Sequence, residues 1–143
     1  KFALILNACL KPFQTGISMR IHHIALIVSD YQASKRFYTE TLGLTVLAEH
    51  YRAARDSWKL DLGIDGHYVL ELFSFPNPPP RPSRPEACGL RHLAFAVTDV
   101  TAKHAELSAA GVDCEAIRID EYTDKPFFFI ADPDGLPIEF YSE

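Results

Sequence analysis

Two stretches of the 143-residue chain repeat each other, and this duplication limits the available folds more than any other feature. His23-Ile-Ala-Leu-Ile-Val-Ser-Asp30 returns 69 residues later as His92-Leu-Ala-Phe-Ala-Val-Thr-Asp99. His, Ala, Val and Asp are identical between the blocks, and the other positions exchange apolar for apolar or hydroxyl for hydroxyl. Leu42-Gly43-Leu44 returns as Ala110-Gly111-Val112, and Leu70-Glu71-Leu72-Phe73-Ser74 as Ile138-Glu139-Phe140-Tyr141-Ser142, both 68 residues on. The slip of one residue fits a loop difference. One supersecondary unit is therefore used twice, as modules 19–75 and 89–143. Between them, Phe75–Cys88 carries six prolines among fourteen residues, which favours an extended connection, placed at 76–88.

Each module reads as strand, helix and three strands. In the first, Ile21–Val28 is β-branched and apolar. Ser29 and Asp30 offer N-cap oxygens to a helix over Tyr31–Leu42, and Gly43 stands where a C′ residue takes positive φ. Strands are expected at Thr45–Ala48, Ser57–Leu62 and Tyr68–Phe73, with a turn at Ile64-Asp-Gly66. The second module repeats the design. Its helix covers Val100–Ala110, and its strands are Cys114–Ile119, Pro126–Ala131 and Pro137–Tyr141. Asp132-Pro-Asp-Gly135 marks a turn between the last two. The expected fold is α+β: two tandem βαβββ modules, giving eight strands with the two helices outside.

Composition narrows the function. Lys and Arg total 14 against 19 Asp and Glu, with no basic run, which argues against nucleic acid as a partner. No apolar stretch reaches the roughly 18 residues of a membrane span. Cys9, Cys88 and Cys114 show no metal spacing and read as free thiols of a cytoplasmic protein. Phe2–Leu10 is apolar and faintly resembles a signal peptide. The expectation, however, is that Met19 opens the domain and that residues 1–18 are an upstream extension outside the fold.

The repeat places a His early and a Glu late in each module: His23 with Glu71, 48 residues apart, and His92 with Glu139, 47 apart. Glu suits a strand core poorly, yet both carboxylates are flanked by apolar residues. Two imidazoles and two carboxylates brought together suit one divalent ion, Zn²⁺, Ni²⁺, Co²⁺, Mn²⁺ or Fe²⁺. His22 would face away from His23 on a strand, and His50, His67 and His104 read as loop or surface residues. Arg52, Arg55, Lys59, Arg91 and Lys125 are cations near the expected site-facing elements, each either a holder of an anionic substrate or a solvated surface charge. Trp58 and Tyr122 fit either a pocket wall or the core.

The paired modules, the His23/Glu71/His92/Glu139 set and the closing Asp-Pro-Asp-Gly-x-x-x-Glu together resemble the vicinal oxygen chelate superfamily of glyoxalase I, bleomycin-resistance proteins and dioxygenases. Arg55-Asp-Ser-Trp-Lys59, Glu71-Leu-Phe-Ser-Phe-Pro76 and Arg84-Pro-Glu-Ala-Cys-Gly-Leu-Arg-His92 further resemble its YaeR-type, glyoxalase-like subgroup. The resemblance implies eight strands enclosing an ion that chelates two adjacent substrate oxygens. It implies module pairing within one chain or by exchange in a homodimer. The four-ligand set is similar to that of bacterial glyoxalase I, a lactoylglutathione lyase. That likeness implies Glu139, then Glu71, as the base that moves a substrate C–H proton, giving a 2-hydroxyacyl product. Ile27 and Phe75 depart from that pattern, since they stand where the glyoxalase carries Arg and Asn for glutathione. The alternatives are a metal-dependent dioxygenase or transferase of the same fold, and a binding protein of the bleomycin-resistance type that performs no chemistry.

Overall fold

The computed structural model describes residues 18–85 and 87–143. The expected extension therefore lies, apart from Ser18, outside the described residues, and so does Cys9. Among the described residues each module forms one four-stranded sheet. The first contains β1 (Ile24–Val28), β2 (Thr45–Arg52), β3 (Ser57–Ile64) and β4 (His67–Ser74), in the order β1-β4-β3-β2. The second contains β5 (Leu93–Val97), β6 (Arg118–Ile119), β7 (Pro126–Ala131) and β8 (Pro137–Ser142), in the order β5-β8-β7-β6. In both, the first strand runs parallel to the last and the remaining pairs are antiparallel. The duplication read from the sequence is thus a duplication of topology.

Local chemistry sets the helices. Asp30 caps α1 (Tyr31–Arg36) by accepting from the Ala33 amide at 2.9 Å, and Asp99 caps α2 (Val100–Ala109) by accepting from Ala102 at 2.9 Å. Gly43 and Gly111 take φ of 80° and 82° just past the helical segments, a conformation that costs a side-chain-bearing residue energy. The expected helix to Leu42 changes character part-way. Phe37–Thr41 form a π-helical turn, which rotates Tyr38 into the core.

Two other boundaries are corrected. The first strand begins at Ile24, so His23 stands one residue ahead of β1, just as His92 stands one ahead of β5. The strand expected over Cys114–Ile119 shrinks to Arg118–Ile119, because Glu115 already gives its amide to Phe129 outside the ladder.

Alternation along the strands separates two faces. Leu26, Val28, Leu60, Leu62, Leu70 and Leu72 turn toward α1 and are buried. Phe128, Ile130, Ile138 and Phe140 do the same beside Val100 and Leu107 of α2. These residues join into one hydrophobic cluster spanning both modules. Polar contacts reinforce it. The Tyr38 hydroxyl donates to Asp132 at 2.9 Å, and the Ser29 amide donates to Asp134 at 3.0 and 3.2 Å.

Asp132 also accepts from the amides of Asp134 and Leu136, closing the Asp-Pro-Asp-Gly turn. Burial pushes its carboxyl above the usual range, although these donors oppose that shift. A raised folded-state value means stability is fully present below the unfolded value near 3.8 and declines as pH rises through the folded one. Tyr38→Phe removes a donor from this carboxylate and is expected to cost about 2 kcal/mol of unfolding free energy at pH 7. Urea denaturation would measure it, and a loss under about 0.5 kcal/mol would remove Tyr38 from the module junction.

Candidate metal centre

The faces turned away from the helices carry the chemistry. Ala25 pairs with Glu71 across β1 and β4, and Ala94 pairs with Glu139 across β5 and β8. Each ligand-type His lies two residues ahead of its alanine, and the small alanine leaves room for the imidazole and carboxylate to meet. His23 Nε2 lies 3.1 Å from Glu71 Oε2, and His92 Nε2 lies 3.2 Å from Glu139 Oε2. Each histidine thus meets the glutamate of its own module. The chain does not bring the two pairs together: among the described residues no three His, Cys, Asp or Glu side chains converge to hold an ion.

The geometry inside each pair suits a shared ion. Two donor atoms about 2.1 Å from one ion lie roughly 3.0–3.4 Å apart, which brackets both observed separations. His22 and His23 approach Nδ1 to Nδ1 at 2.8 Å, so the His23 ring is held from behind and its Nε2 faces the carboxylate. This corrects the expectation that His22 faces away; strand alternation does not govern these residues, which precede β1. Among the described residues His92 Nδ1 is buried with no hydrogen-bond partner, so the second ring lacks the support from behind that His22 gives the first.

The carboxylates differ. Glu71 is 8% exposed, and its Oε1 accepts from the Tyr68 hydroxyl and from Lys59 Nζ, the latter at 2.7 Å. Burial opposes ionisation of Glu71, but the hydrogen bonds of Lys59 and Tyr68 and the charges of Lys59 and His23 outweigh it, holding its carboxyl below the usual range. Lys59 also pairs with Asp61, and Tyr68 stacks on His23 with ring centroids 4.9 Å apart. Glu139 has no second partner among the described residues. The strand register explains the asymmetry. Lys59 and Asp61 pair with Phe73 and Glu71, whereas Phe127 and Phe129 pair with Tyr141 and Glu139. One half-site is walled by charges, its counterpart by aromatic rings.

The remaining residues singled out in the sequence lie in different places. Arg55 is on an exposed turn and Lys125 one residue ahead of β7, and the described residues show no contact from either to a His–Glu pair. Arg52 lies over the rings of Phe73 and Phe75 and donates to Ser57. Arg91 lines the cavity beside His92. Trp58 stacks on Tyr31 at the core's edge, Tyr122 is 89% exposed, and His104 packs on Phe128. Sequence reasoning missed Asp61, Tyr68 and the contact made by His22. The Lys-Leu-Asp-Leu alternation at 59–62 was a usable signal, since it puts both charges on the Glu71 face.

A family model described as the Glyoxalase/Bleomycin resistance protein/Dioxygenase superfamily matches residues 20–140. The chain belongs to this superfamily. It is 60% identical over 124 residues to "Uncharacterized protein YaeR" of Escherichia coli (strain K12), covering 87% of this chain and 96% of that one. It is 54% identical over 123 residues to "Uncharacterized protein YwkD" of Bacillus subtilis (strain 168), covering 86% and 96%. Among solved structures it resembles a glyoxalase family protein from Enterococcus faecalis, with a TM-score of 0.80, 46% identity and coverage of 85% and 96%. A trypanothione-dependent glyoxalase I of Leishmania major aligns with a TM-score of 0.67, 27% identity and coverage of 88% of each chain. The superfamily includes glyoxalases and dioxygenases, and its fold accounts for the paired sheets. No helix among the described residues is long and apolar enough to cross a membrane.

Proposed function

We propose that this protein is a divalent-metal-dependent, glyoxalase-like lyase or isomerase of the cytoplasm, working as a homodimer on a small molecule. The observation that carries the reading is the matched pair of half-sites. Each module holds one imidazole nitrogen 3.1–3.2 Å from one carboxylate oxygen, and one chain keeps the two pairs apart. Four ligands follow when His23 and Glu71 of one copy face His92 and Glu139 of another. A two-fold dimer makes two such centres. Ile27, 61% exposed on the non-helix face, is apolar surface that such a partner would cover.

The bound ion, Zn²⁺ or Ni²⁺, supplies Lewis-acid polarisation of two adjacent substrate oxygens. His23 and His92 orient the centre through Nε2, with His22 fixing the first ring. Lys59 and Tyr68 hold Glu71 Oε1, so Glu71 stays in place as a ligand. Glu139 lacks that clamp, so its carboxylate can swing, take the proton from the substrate carbon and return it to the neighbouring carbon. The aromatic wall of Phe127 and Phe129 keeps water from the carbon being deprotonated.

The direct test is formation of lactoylglutathione from methylglyoxal and glutathione with Ni²⁺ and then Zn²⁺. Ile27 and Phe75 provide no polar contact for glutathione, so other thiol adducts of 2-oxoaldehydes belong in the same assay. Glu139→Gln is expected to lower kcat about 10²- to 10⁴-fold while retaining metal. Glu71→Gln is expected to lose metal first. Metal analysis beside kinetics separates the roles, and the reverse pattern would make Glu71 the base.

A further inference from the structure

A cavity of about 550 Å³ opens beside His92, and its described lining includes Arg81, Arg84, Arg91 and Arg118 against Asp113 and Glu115. The described lining thus holds four arginines and two acidic residues, in a chain of formal net charge −5. Cations are concentrated where the chain as a whole is acidic. Two of these arginines come from the proline-rich connection, which therefore forms a cavity wall as well as joining the modules. Arg81 braces that wall by donating to the carbonyls of Leu90 at 2.7 Å and Arg91 at 3.0 Å.

Arg118 is held at the opposite strand. It pairs with Glu115 at 2.9 Å, and its guanidinium lies 5.0 and 5.5 Å from the ring centroids of Phe127 and Phe129. Phe129 in turn meets the His92 ring edge-on at 5.4 Å. A continuous surface thus runs from the cationic wall to the half-site. Arg84 is exposed and makes no hydrogen bond or ion pair among the described residues. A planar guanidinium fits a carboxylate or phosphate through two parallel hydrogen bonds.

We propose that this cavity is an oxyanion-binding subsite, in which Arg84 and Arg118 hold a carboxylate or phosphate carried by the substrate. The inference rests on the reading above for the other end of that substrate, whose adjacent oxygens lie at the His92 and Glu139 side. It narrows the substrate to an anionic small molecule.

The subsite can be tested without metal or turnover. EDTA-treated protein is titrated calorimetrically with inorganic phosphate and, separately, with succinate at constant ionic strength. Saturable binding of either is expected, with the stronger arm naming the anion. Arg84→Gln should weaken it about tenfold, Arg84→Lys less, and the double variant Arg84→Gln/Arg118→Gln should abolish it. Arg36→Gln, a change on α1 away from the cavity, should leave it unchanged. No saturable binding by the folded wild type, or equal weakening by Arg36→Gln, would overturn the proposal. Anion binding that survives in a protein unable to take up Ni²⁺ or Zn²⁺ would uphold the subsite while removing the metal reading.

Discussion

His92→Ala is expected to leave the purified protein without its ion and without turnover, while the fold persists. His92 is half-buried one residue ahead of β5, and its Nδ1 has no hydrogen-bond partner among the described residues, so its loss takes little from the core. Its contribution lies in one donor atom 3.2 Å from Glu139. Changes to residues behind a metal ligand cost 10- to 100-fold in affinity, so deletion of a ligand should exceed about 100-fold. Titration with Ni²⁺ or Zn²⁺, read beside circular dichroism, measures both parts. Wild-type metal affinity in His92→Ala would end the proposal that the two pairs share an ion.

The second large effect comes from mixing two inactive proteins. His23→Ala damages every centre in its own homodimer, and His92→Ala does the same. In a mixed dimer built by module exchange, one centre takes His23 and Glu71 from the His92→Ala copy and His92 and Glu139 from the His23→Ala copy. That centre is whole. Random exchange of equal amounts makes half the dimers mixed, so about one quarter of wild-type centres should return. Metal content and activity should recover together. If all four ligands belonged to one chain, mixing would restore nothing. The experiment therefore decides between exchange and an in-chain centre.

Much of the fold was legible because its determinants are local or repeat at fixed distance. Asp30 and Asp99 cap helices wherever the chain around them goes, and Gly43 and Gly111 end the helical segments for a conformational reason. Alternation made Glu71 and Glu139 conspicuous between apolar neighbours, and the repeat supplied each with a histidine. The errors fell where local pattern does not decide. The π-helical turn at Phe37–Thr41 follows from packing Tyr38 against Asp132 of the other module. The short β6 and the meeting of His22 with His23 lie at strand ends, where hydrogen bonding rather than hydrophobic period sets the boundary.

The order of residues alone determined the duplicated topology, the helix caps and the pairing of one histidine with one glutamate per module, because each depends on strand alternation and neighbouring backbone groups. Tertiary structure alone decided that the two pairs stand apart in a single chain and that linker arginines wall the cavity by His92. These depend on how two hydrophobic faces pack into one core. Contacts between residues distant in sequence carry no periodic signature along the chain.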